Sequence, residues 1–159
     1  YETRVAVWRI LRLFDKYGRK GRAVHHSCGK SRALADMLAV ETDVGMLNPL
    51  EPRPAGDIGL AEVKRAHGRR LAFMGNLHTT DVMLSGTVQF VREKAIEAMR
   101  DAGQGGGFIL STGDQCGRDT PEQNIRAVGN AAREYGNYDQ ATGELPDLPI
   151  LGRGEECAR

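Results

Sequence analysis

The sequence has little cysteine, no surplus of either charge and no long apolar run, and each shortage removes a class of protein. Its three cysteines, Cys28, Cys116 and Cys157, are too few and too scattered for a disulfide framework, so a reducing cytoplasm is the expected setting. With 22 Lys and Arg against 21 Asp and Glu, the chain has no electrostatic case for nucleic acid or an anionic membrane as its main partner. No apolar stretch approaches the roughly 20 residues of a membrane span, and no basic-then-apolar leader opens the chain, so neither secretion nor membrane insertion is expected. What is present is the balance of an ordinary globular domain, 40% hydrophobic and 27% charged over 159 residues. A chain of that length buries roughly 70% of its unfolded surface, enough for a core. It begins at Tyr1, without an initiating Met and inside what reads as an amphipathic helix, and is expected to be part of a longer protein.

Four apolar runs of strand length recur, at residues 22–28, 44–50, 71–77 and 107–113. Each is followed by turn residues and a segment with helical spacing. Their spacing is near the roughly 30 residues per unit of a (β/α)8 barrel, and runs without clean alternation suit parallel strands. The helices have readable ends. Val5, Trp8, Leu11 and Phe14 share a face ahead of the first strand, with Gly18 as a stop. Ser31 is placed to cap a helix carrying Leu34, Met37 and Leu38, and Asp57 precedes one carrying Leu60 and Val63. Thr87 opens a helix that ends at Gly103, and Thr120-Pro121-Glu122-Gln123 has the form of a capping box. From about Gly136 the chain loses its period and reads as a loose tail. A helix and four βα units make about half of a closed barrel, with open edges for a missing half or a second copy to cover. A small doubly wound sheet would show the same alternation, and the pattern leaves both open.

In either architecture the site lies at the carboxyl ends of the strands. The first strand ends His25-His26-Ser27-Cys28-Gly29, where His26 and Cys28 project to one face and His25 to the other. Imidazole and thiol two residues apart can approach one metal ion, and that pair favours zinc. The fourth strand's exit, Gly113-Asp114-Gln115-Cys116-Gly117, offers Cys116 or Asp114 as a third donor, and His78 brings another imidazole to the rim. The competing reading is plain: a Cys is often a small hydrophobe and a His a satisfied polar group. His25 reads as a wall residue, His67 as a solvated cation ending a helix, and Cys157 as idle in the tail. Gly105-Gly106-Gly107 allows positive φ, but without the Lys-Ser/Thr ending of a phosphate loop it carries no nucleotide reading.

The segments VHHSCGKSRALADMLAVETDVGMLNPLEP, LAFMGNLHTT and GGGFILSTGDQCGRDTPEQNIRA together resemble the C-terminal half of the uroporphyrinogen decarboxylase superfamily. That superfamily holds the decarboxylase of haem biosynthesis and cobalamin-linked, zinc-containing methyltransferases. The resemblance spans about residues 5–136 and rests on motifs in family order: His-x-Cys-Gly, Asn-Pro, Gly-Asn and Thr-Pro-x-x-Asn. It implies half of a (β/α)8 TIM barrel, four parallel strands alternating with helices, over residues 1–137, and a tail over 138–159. It also implies zinc held by His26, Cys28 and a donor from the last loop. The family's Cys register falls on Asp114, with Cys116 two residues later; the softer thiolate gives Cys116 the preference. The implied function is zinc-assisted methyl transfer from a methyl-corrinoid, as co-substrate, to a thiol-type acceptor. Asn48, Asn76 and His78 would line the pocket and Arg118 would receive a carboxylate at its mouth. Implied partners are a small-molecule substrate, a corrinoid protein, and either the missing N-terminal half-barrel or a second copy. Two alternatives stand beside this: uroporphyrinogen decarboxylation without metal, against which the missing loop His counts, and a truncated barrel that does no chemistry. His78 is a departure, since the family more often has Asp after Gly-Asn.

Overall fold

The computed structural model describes residues 23–149 together with residues 9, 10, 12, 13 and 16. Of the expected first helix, residues 9, 10, 12, 13 and 16 are helical, while Val5, Trp8, Leu11, Phe14 and Gly18, like Cys157, lie outside the described residues. Each apolar run yields a strand: β1 Val24–Ser27, β2 Met46–Pro49, β3 Ala72–Leu77 and β4 Phe108–Thr112. The helices that follow are α1 Arg32–Glu41, α2 Leu60–His67, α3 Val88–Ala102 and α4 Glu122–Tyr135. All strand pairs are parallel, in the order β1-β2-β3-β4. A doubly wound sheet reverses its strand order at a switch point. This sheet does not, and unbroken sequential order is that of a partial (β/α)8 barrel.

The two faces of the sheet differ because side chains alternate along a strand. Leu47, Phe73 and Leu77 point under the helices and are at most 3% exposed. They meet Leu38 from α1, Val63 from α2, Val91 and Ala95 from α3, and Ala131 from α4 in one core. Each large aliphatic or aromatic side chain so buried contributes about 1.5–3 kcal/mol. The other face is more open, with Val24 56% and Ile109 47% exposed. That face corresponds to the interior of a closed barrel, and it holds His26 and Cys28.

Two helix starts differ from the sequence expectation. Ser31 precedes α1, but its hydroxyl donates to Gly29 O and caps nothing. Instead Asp57 reaches across from the loop before α2, and its Oδ1 accepts from Ser31 N at 2.8 Å and Arg32 N at 3.0 Å. Asp57 therefore serves the helix before it rather than the one it precedes. The Arg32 backbone bond, then that of Ser31, holds its carboxyl below the usual range. A carboxyl whose pKa is lower folded than unfolded adds stability above the unfolded pKa and loses it as pH falls through the folded one. Asp57→Ala is thus expected to be less stable than wild type at pH 6, with the gap narrowing below about pH 4. Urea titrations across that range test this; a gap independent of pH would contradict it.

The capping box before α4 does not close either, since Thr120 Oγ1 is buried without a partner. The start of α4 is held by Asn124, whose Nδ2 donates to Met83 O at 2.9 Å and Gly86 O at 2.8 Å. Met83 belongs to a π-helical turn, Thr79–Leu84, that local sequence patterns do not predict, and Gly86 lies just beyond it. Thr87 does cap α3, accepting from Phe90 N, and Gly103 follows its last residue. Beyond α4, residues 137–149 carry neither helix nor strand. They are nevertheless tied down: Leu145 is 6% exposed, and Tyr138 donates to Gly103 O at 2.8 Å.

Candidate functional site

β1 and β4 are the two edges of the sheet, yet their carboxyl ends meet. Cys28 Sγ, just past β1, lies 3.6 Å from Oδ2 of Asp114, two residues past β4. The exit loop of β4 thus reaches across the carboxyl rim of the sheet to the end of β1. His26 Nε2 lies 3.5 Å from the same sulfur. Donor atoms of His26, Cys28 and Asp114 all fall within 4.8 Å of one another, and all three residues are exposed.

Asn48, opposite His26 in the β1–β2 register, is only 8% exposed. Its Oδ1 lies 2.5 Å from His26 Nδ1, and its Nδ2 donates to Met74 O at 2.9 Å. Glu51 approaches from the loop after β2, where it accepts from Gly29 N. Desolvation, then the carboxylates of Glu51 and Asp114, push the Cys28 thiol above its ordinary pKa. A Cys–His–Asn order can mark a thiol nucleophile, but such residues are activated by a lowered pKa. Here the surroundings favour the protonated thiol unless a cation is present.

The donor set fits zinc. Imidazole nitrogen, thiolate sulfur and carboxylate oxygen are its usual ligands, and three protein donors leave a fourth position open, as at catalytic zinc. With Zn–N, Zn–S and Zn–O near their usual lengths, tetrahedral edges come to about 3.6 Å for N···S and S···O and about 3.4 Å for N···O. The two sulfur contacts observed are 3.5 Å and 3.6 Å, and the imidazole and carboxylate donors lie within 4.8 Å of each other. Thiolate, carboxylate and neutral imidazole together carry the two negative charges that offset a divalent ion.

The other expected site residues fall elsewhere. Cys116 is half-buried and packs against the hydrophobic core. Of the two donors expected from the exit loop, the structure brings Asp114 beside Cys28, while Cys116 packs inward. Asn76 donates to Leu50 O at 2.9 Å, and His78 Nδ1 accepts from Asp81 N at 3.0 Å. Both line a cavity of about 490 Å³ that also involves Leu60, Phe90 and Lys94 and none of the three donors. The side chain of Arg118 is 95% exposed, with Asp119 at 3.9 Å. Glu51 was missed by sequence reasoning. Its only sequence signal is a carboxylate three residues after Asn48, on the loop that leaves β2.

Parallel strands in sequential order with donors gathered on their carboxyl rim define a (β/α)-barrel protein with a metal-capable edge. The chain belongs to the uroporphyrinogen decarboxylase (URO-D) family, whose model matches residues 4–135. A curated relative, uroporphyrinogen decarboxylase of Microcystis aeruginosa, is 32% identical over 82 residues, covering 52% of this chain and 23% of that protein. Among solved structures, a methyltransferase from Methanosarcina mazei superposes with a TM-score of 0.59 at 24% identity, over 70% of this chain and 30% of that one. The chain thus spans about a quarter to a third of these relatives. No helix among the described residues is long and apolar enough to cross a membrane.

Proposed function

We propose that His26, Cys28 and Asp114 hold zinc, and that the barrel to which this chain contributes transfers a methyl group from a methyl-corrinoid to a thiol-type acceptor. The meeting of three donors from opposite sheet edges carries the reading; the fold shared with a methyltransferase is compatible with that branch. Bound zinc would supply a Lewis acid at which an acceptor thiol, mostly protonated in water, is held as thiolate. The protein's own part is to prepare that position. Cys28 would give up its thiol proton to solvent on becoming a ligand, and Asp114, 3.6 Å from its sulfur, would stay ionised as the carboxylate donor. His26 presents Nε2 on the same side. The three donor residues are exposed, so an acceptor thiol would have access to an ion held between them.

Zinc binding tests this. The purified chain is expected to take up one zinc per molecule in competition with a colorimetric chelator, and Cys28→Ser is expected to lose it. Equal zinc content in both proteins would reject the assignment. The curated relative favours a second reading, decarboxylation of an acidic tetrapyrrole. Release of carbon dioxide from uroporphyrinogen by protein that takes up no zinc would establish it instead.

A further inference from the structure

We infer that Asn48 is a positioning residue that selects one tautomer of His26. The inference deepens the zinc reading, since it names what aims the imidazole, but it rests on contacts made without any metal. Two hydrogen bonds carry it. Met74 O, a backbone carbonyl, can only accept, so the Asn48 atom 2.9 Å away must be the amide nitrogen. The amide oxygen then faces His26 Nδ1 at 2.5 Å, and an amide oxygen can only accept. Nδ1 therefore carries the proton. In the neutral ring Nε2 is then bare, and it is Nε2 that lies 3.5 Å from Cys28 Sγ. The chain of directions runs from a β3 carbonyl through Asn48 to the histidine nitrogen at the rim.

Such a partner fixes both ring orientation and tautomer, and losing it weakens metal affinity by roughly 10–100-fold in other proteins. Burial makes the constraint firm here. Asn48 is 8% exposed, and both ends of its amide are engaged by neighbours in the sheet, so a flipped amide would set its oxygen against Met74 O. Asn48 is thereby committed to His26 and Met74 and is removed from the set of residues free to bind substrate.

Ring ¹⁵N shifts of His26 in zinc-free protein provide a test that needs neither metal nor variant. The expected result is the Nδ1–H tautomer, and an Nε2–H majority would overturn the inference. Asn48→Asp keeps an oxygen toward His26 but sets its other oxygen against Met74 O; it should retain the Nδ1–H tautomer while losing stability. Asn48→Leu removes the acceptor and should shift the ring toward Nε2–H while weakening zinc by about 10–100-fold. An unchanged tautomer in Asn48→Leu would also overturn it. Should that variant not fold, the wild-type and Asn48→Asp spectra decide. Wild-type protein that shows the Nδ1–H tautomer but binds no zinc would reject the zinc reading and leave the positioning role standing.

Discussion

Asp114→Ala is expected to weaken zinc binding by about a hundredfold or more, while Cys116→Ala leaves it within about threefold. Complete zinc sites in small domains are worth about 10–16 kcal/mol, so one ligand of three or four carries roughly 3 kcal/mol, a factor of about a hundred. Asp114 stands 3.6 Å from the Cys28 sulfur, whereas Cys116 packs with the core. Removing Cys116 should instead lower stability modestly through lost packing. Chelator competition on both variants, beside thermal melts, separates the two effects. If Cys116→Ala abolished binding and Asp114→Ala did not, the exit loop would have to rearrange on metal uptake and the geometry described above would not be the ligating one.

Gly75→Ala is expected to destabilise the chain by about 3–5 kcal/mol, near the upper end for single substitutions. Gly75 lies in β3 with φ of +151°, a backbone conformation side chains seldom adopt. A Cβ there would fall 2.1 Å from Pro49 O in β2. The clash is with backbone, so no rotamer change relieves it, and β2 and β3 would have to separate between the two strands that carry Asn48 and Asn76. Gly117→Ala is the control: nothing lies within 4 Å of its Cβ position, and its stability should stay within about 0.5 kcal/mol of wild type. Urea midpoints compare the two. A Gly75→Ala midpoint equal to that of the control would show that the strands give way freely.

The helix starts show where local reading succeeds. Thr87 caps α3 as its position implies, because the acceptor and the amide it meets are three residues apart. Ser31 and Thr120 have equally good local chemistry and cap nothing by side chain. At α1 a carboxylate 26 residues downstream takes the amides first. Asn124 likewise bonds across 38 and 41 residues to carbonyls in and just beyond a π-helical turn. Spacing along a chain conveys no information about such partners.

The donor cluster divides in the same way. His26 and Cys28 share a strand end, and strand alternation alone puts them on one face. Asn48 was read as a pocket residue, and its bond to His26 follows from a parallel register that places residues 26 and 48 side by side.

From the sequence by itself came the four strands, the alternation with helices, and the His-x-Cys pair on a rim, since each depends on neighbours within one or two turns of chain. The resemblance already implied a sequentially ordered half-barrel over a doubly wound sheet; only the tertiary structure showed that Asp114 rather than Cys116 lies beside Cys28, and which nitrogen of His26 faces the sulfur. Those outcomes depend on which loop reaches across the carboxyl rim and which strands pair side by side. Both are set by packing between residues as many as 86 positions apart, where no local pattern reaches.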